Sequence, residues 1–115
     1  MPTQPFPEAH YATFPEELPR RAIQAGTPLH VCLKCGEPRN TEAQKHRSLS
    51  SCGCPENLSG AATVLDPFGG SGTTGLVAQE LGRCAVLIEA SPENVEMARR
   101  RILQSNPLFS DIRIV

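Results

Sequence analysis

Tryptophan is absent from this chain, and its aromatic residues are four Phe and one Tyr. Aromatic side chains supply much of the buried area of a small core. Their scarcity argues against a large self-sufficient core and leaves marginal stability as the expectation for 115 residues. An excess of charge of one sign is missing too: eleven Lys and Arg stand against twelve Asp and Glu, a formal net charge of -1. That balance gives no global pull toward nucleic acid or a membrane surface. No apolar run approaches the ~20 residues of a membrane span. The opening Met1-Pro-Thr-Gln-Pro-Phe-Pro lacks the basic-then-apolar order of a signal peptide. These absences lead to the expectation of one cytoplasmic domain over residues 1–115.

Proline and glycine are plentiful, eleven and nine residues, with the prolines mostly in the first half. Residues 1–30 contain one short helical segment, Pro15 to about Ala25, stopped by Gly26. Pro19 should confine that helix to its C-terminal part. Residues 31–60 are polar and rich in Ser, Cys, Gly and charge, without apolar periodicity, and read as an insertion with little core of its own. Residues 61–115 differ in kind. Ala61-Ala-Thr-Val-Leu-Asp reads as a strand ending in a carboxylate, followed by the turn Pro67-Phe-Gly-Gly-Ser-Gly. Thr73 to Leu81 reads as a helix closed by Gly82, and Cys84-Ala-Val-Leu-Ile-Glu as a second strand ending in a carboxylate. Ser91 and Pro92 suit the N-cap and first position of a second helix. Asp111-Ile-Arg-Ile-Val is a candidate third strand. Alternation of strand and helix predicts a parallel α/β sheet.

A strand that delivers its chain into Gly69-Gly70-Ser71-Gly72 and then a helix makes a nucleotide-type site. Glycine lets backbone approach a ligand, and the helix N-terminus offers unpaired N–H groups to an anion. Glu89 ends the next strand, near the ~20-residue offset at which a carboxylate grips ribose hydroxyls. The bland alternative is a turn whose glycines merely permit tight packing. No Gly-Lys-Ser/Thr follows, so a triphosphate is poorly served. A cofactor with a ribose and an amino-acid tail fits better: Asp66 pairs with its ammonium and backbone N–H groups take its carboxylate.

Asp66-Pro-Phe-Gly-Gly-Ser-Gly-Thr-Thr resembles the cofactor motif of amino-group (N4-cytosine or N6-adenine) DNA methyltransferases. Val64-Leu65, Ala78, Leu81-Gly82-Arg83, Ile88-Glu89 and Ala98-Arg-Arg-Arg-Ile resemble the surrounding text of that family. Upstream, His10-Tyr-Ala-Thr-Phe-Pro-Glu-Glu-Leu with Ile23 resembles its second cofactor segment, which precedes the glycine motif in the β arrangement, as here. The resemblance spans nearly the whole chain except residues 31–60. It implies a partial Rossmann-like methyltransferase sheet and S-adenosylmethionine as cofactor, with DNA as partner. It also implies that Phe14 and Pro15 line the methionine side, and that Asp66, Phe68, Gly70, Ser71, Thr73 and Thr74 form the main cradle. Glu89 would take the ribose hydroxyls, with Ala90 beside the adenine. Phe68 as plain core packing, and His10 as a mere cap, are the competing readings.

Members of this family methylate with an Asp/Ser/Asn-Pro-Pro-Tyr-type loop, which accepts hydrogen bonds from the amine and stacks on a flipped-out base. The chain contains no such tetrapeptide. Asn106-Pro-Leu-Phe is the nearest string, has the wrong third residue and follows the glycine motif, so it reads as a helix stop. No catalytic residue is assigned. The β order places catalytic and target-recognition parts upstream, and Met1 lies close to the second cofactor segment. The expectation is therefore a truncated, split or restarted gene, inactive alone and completed by an upstream polypeptide. The alternatives are a non-catalytic module that holds cofactor or DNA for a partner chain, and a small-molecule or protein methyltransferase. Asp66-Pro-Phe and the upstream Phe-Pro segment weigh against the last.

Four of five cysteines fall as Cys32-x2-Cys35-x16-Cys52-x-Cys54. In a reducing compartment that spacing reads as metal ligation before disulfides. Four thiolates in two close pairs suit structural zinc, and Cys32-Leu-Lys-Cys-Gly resembles a zinc knuckle, giving an inserted four-cysteine, zinc-ribbon-like loop over 31–60. The second pair is tighter than the usual two-residue gap, and reduced, unliganded thiols are the alternative. His30 and His46 are spare ligands. Lys34, Arg39, Lys45 and Arg47 are candidates for DNA phosphate contacts, with Glu37 and Glu42 diluting their charge and a solvated loop as the competing reading. Cys84, within an apolar run, reads as a small core residue.

Overall fold

The computed structural model describes residues 14–39, 52–55, 58–108 and 110–115. Helix α1 (Glu17–Gly26) leads into β1 (His30–Cys32), and β2 (Ser59–Ala61) is followed at once by β3 (Thr63–Asp66). Then come α2 (Thr73–Glu80), β4 (Cys84–Leu87) and α3 (Pro92–Ser105). β3 and β4 pair in parallel, Thr63 opposite Cys84 through Asp66 opposite Leu87, with α2 as the crossover. This is one parallel β-α-β unit, as the alternating pattern requires.

α2 is the hub. All of Thr73 to Ala78 is buried, because the helix carries no charge before Glu80 and packs on several elements at once. Val77 and Ala78 form the core with Ile23 of α1, and Val64 and Leu81 pack against it. α3 buries Met97, Ala98 and Ile102, the inward stripe set by three- and four-residue spacing. Ser91 accepts from the backbone N–H of Asn94, with Pro92 at the first turn, so this cap follows the expectation. Gly72 has φ of 83°, and a Cβ there would stand 2.8 Å from that of Ala98. A side chain at that position would push α3 off the turn.

Several sequence expectations need correction. α1 begins at Glu17 and contains Pro19, which is buried. In the first turn the missing N–H of proline has no intrahelical partner to lose. Residues 31–60 are closed by strands: β1 and β2 pair antiparallel, His30 opposite Ala61 and Cys32 opposite Ser59. Three-residue strands with little alternation leave no periodic signal. The third strand is not formed, since residues 111–115 carry no strand pairing. Ile114 and Val115 are exposed, and no neighbouring strand among the described residues offers backbone partners. Cys84 is exposed rather than core. It shares the open face of the β3–β4 pair with Thr63, Leu65 and Val86, all exposed, whereas α2 covers the other face. No helix among the described residues is long and apolar enough to cross a membrane.

Candidate cofactor-binding site and cysteine cluster

The turn after β3 is built from the carboxylates that flank it. Asp66 Oδ1 accepts the Phe68 N–H at 2.9 Å and Oδ2 accepts the Thr74 hydroxyl at 2.6 Å. This side chain therefore ties the entrance of the turn to the first turn of α2. Glu89, just past β4, accepts the Gly70 N–H at 2.7 Å through Oε2 and the Ser91 N–H at 2.9 Å through Oε1. These N–H groups, Ser91 first and then Gly70, hold its carboxyl below its ordinary value. The Gly69 N–H donates to the Ile88 carbonyl at 2.8 Å, fixing the turn against the end of β4.

The glycines divide the two sequence readings between them. A Cβ on Gly69 would meet that of Leu87 at 3.0 Å, and one on Gly75 would meet Leu87 Cδ1 at 2.9 Å. Those positions, like Gly72, serve packing. Gly70 has φ of 53°, and the nearest atom to a Cβ there is the Phe68 carbonyl oxygen at 3.9 Å. Space lies open above that residue. Phe68 is 83% exposed, which removes plain core packing as its reason, and Ala90 is exposed as well. Ser71 is half-buried, while Thr73 and Thr74 are buried. Phe14 and Pro15 are half-buried ahead of α1; His10 lies outside the described residues. Asn106 caps the C-terminus of α3, the helix stop expected.

Arg101 was not anticipated. Its Nη1 donates to Thr73 Oγ1 at 2.7 Å and to Ser71 Oγ at 3.3 Å, and its Nη2 pairs with Glu16 at 3.4 Å. It thereby joins the segment beginning at Phe14 to the glycine turn. A signal existed: Arg101 lies three residues past Ala98 and four past Met97, on the inward stripe of α3.

The four insertion cysteines converge, with every Sγ within 4.8 Å of the others. Zinc–sulfur bonds of about 2.3 Å in a tetrahedron place sulfurs about 3.8 Å apart, so the spacing suits one ion. Cys35 Sγ lies 3.3 Å from Cys52 Sγ, well beyond the ~2.05 Å of a disulfide. Cys52 is pulled down to about 6, first by the Arg39 guanidinium and then by the Cys54 N–H. The neighbouring Cys52 sulfur in turn pushes Cys54 up to about 12. His30 is half-buried in β1 and outside the cluster. His46, Lys45, Arg47 and Glu42 lie outside the described residues, and Lys34 is exposed. Arg39 is buried, with its guanidinium bonded to carbonyls and a sulfur, so it does not face DNA phosphates.

Residues 2–100 match the model of a family described as DNA methylase. The chain belongs to that family. The chain is 34% identical over 102 residues to the Type II methyltransferase M.SmaI of Serratia marcescens, covering 89% of the chain and 24% of that relative. It is 38% identical over 104 residues to the Type II methyltransferase M.XycI of Xanthomonas campestris pv. cyanopsidis, covering 90% and 24%. With M.Cfr9I of Citrobacter freundii the identity is 38% over 100 residues, covering 87% and 23%. The chain thus spans about a quarter of the length of these relatives. No solved structure matches it.

Proposed function

We propose that this chain is the cofactor-binding portion of an S-adenosylmethionine-dependent DNA methyltransferase acting on the exocyclic amine of adenine or cytosine. The observation that carries the reading is the convergence of Asp66, open Gly70 and Glu89 on one turn. Each carboxylate oxygen of Glu89 accepts one N–H and keeps a lone pair for a ribose hydroxyl. Asp66 takes the ammonium, turn N–H groups take the carboxylate, and Ser71, Thr73 and Thr74 complete the cradle. Phe68 and Ala90 offer exposed surface at the mouth, Ala90 beside the adenine, and Phe14 with Pro15 lines the methionine side. Bound there, S-adenosylmethionine supplies an electrophilic methyl group. Calorimetric titration with this cofactor tests the reading; a folded chain with no heat of binding would remove it.

The β3-α2-β4 unit is then a part of a Rossmann-like sheet. Parallel sheets are normally covered on both faces, whereas here Leu65 and Val86 lie open on one face. That face supports completion by a polypeptide carrying the catalytic loop and target recognition, with the chain inactive alone. A cytoplasmic location, where DNA is within reach, belongs to the same reading. Cys32, Cys35, Cys52 and Cys54 hold one structural zinc. The ion replaces the core that residues 31–60 lack and contributes the insertion's folding energy.

A further inference from the structure

Arg39 is a charged side chain, 8% exposed. A buried guanidinium is retained only when its donors are satisfied. Nη1 donates to the Pro55 carbonyl at 2.8 Å, and Nη2 donates to the Cys54 carbonyl at 2.8 Å and to Cys52 Sγ at 3.4 Å. Its own backbone N–H donates to the His30 carbonyl at 2.8 Å. The residue is therefore anchored at one end to the strand carrying Cys32 and at the other to the turn carrying Cys52 and Cys54.

The two ligand pairs differ in what their turns supply. In a Cys-x-x-Cys turn such as Cys32-Leu-Lys-Cys35, backbone N–H groups after the first cysteine can stabilise its thiolate. The Cys52-Gly-Cys54 turn is one residue shorter, and among the described residues the Cys54 N–H is the backbone donor that reaches Cys52 Sγ, at 3.4 Å. Four thiolates around a dication also leave a negative centre that needs nearby positive charge.

We propose that Arg39 is a built-in part of the metal centre, supplying the N–H donor that the short Cys52-Gly-Cys54 turn lacks and offsetting the charge of its thiolates. The inference rests on the zinc reading. Lysine carries the charge but not the planar fork that reaches two carbonyls and a sulfur together. Arg39 is thus a positioning residue for the second ligand pair.

The test uses the full chain loaded with zinc and, separately, with cobalt(II), alongside Arg39→Met and Arg39→Lys. Competition with a chromophoric chelator should show Arg39→Met releasing zinc about 10–100-fold more readily, with Arg39→Lys between it and wild type. An N–H···S bond withdraws electron density from sulfur, so its loss should move the sulfur-to-cobalt charge-transfer band to longer wavelength in both variants. Wild-type affinity together with an unmoved band in Arg39→Met would overturn the proposal. Should that variant not fold, wild-type zinc release together with an unmoved band in Arg39→Lys overturns it. A wild-type chain that binds neither metal removes the zinc reading itself, a separate and recognisable failure.

Discussion

The backbone N–H of Gly70 donates to the Glu89 carboxylate at 2.7 Å, joining the turn after β3 to the end of β4 across 19 residues of sequence. The contact does two things. It holds the glycine turn against the sheet, and it fixes the position of the Glu89 carboxylate. On the proposed reading, stability and cofactor binding share this side chain.

Titration with S-adenosylmethionine or its demethylated product should show one site. Asp66→Ala and Glu89→Ala should each weaken it ten- to hundredfold, since a hydrogen bond to a charged group is worth about 1.5–3 kcal/mol. Equal affinities in wild type and both variants would take these residues out of the site.

The carboxyl of Glu89 is held below its ordinary value by the Ser91 and Gly70 N–H groups. Its contribution to stability is then full above the ordinary glutamate value of about 4.3 and is lost as pH falls through the lower folded-state value. Glu89→Gln presents an amide nitrogen to one of those donors and loses that bond. Urea denaturation should place the variant below wild type at pH 7, with the gap closing as pH falls below about 4.3. A gap that stays constant with pH would show that the ionised carboxylate contributes nothing.

Purified without chelator, the chain should carry about one zinc per molecule by elemental analysis. Cys32→Ser and Cys52→Ser should release it, whereas Cys84→Ser should not, because Cys84 lies exposed on β4 outside the cluster. Reduced protein free of metal would leave the four thiols as unliganded cysteines.

The 115-residue chain alone should give background counts in a tritiated-methyl transfer assay on unmethylated DNA, even at saturating cofactor. Holding the amine in line with the methyl contributes about 7–11 kcal/mol of barrier reduction, and no Pro-Pro-Tyr-type loop is present to do it. Adding a polypeptide that carries such a loop should restore transfer. Robust activity of the chain alone, abolished in Asn106→Ala, would instead make Asn106-Pro-Leu-Phe a catalytic loop.

Local signals settled much of this protein. The strand–glycine–helix order around Asp66, the Ser91-Pro92 cap and the two cysteine pairs are written in adjacent residues, where turn chemistry and capping act over a few bonds. They sufficed for the β-α-β unit and for the family. What lay beyond them depended on residues far apart in sequence. Arg39 reads as a loop cation until folding sets it beside Cys52 and Cys54, and Arg101 as one of three surface arginines until α3 packs on Ser71 and Thr73. Cys84 and residues 111–115 show the converse: an apolar run is buried only if a neighbour covers it, and a strand forms only if another strand pairs with it. Composition specifies the tendency to be buried or paired; whether a partner arrives is decided in three dimensions.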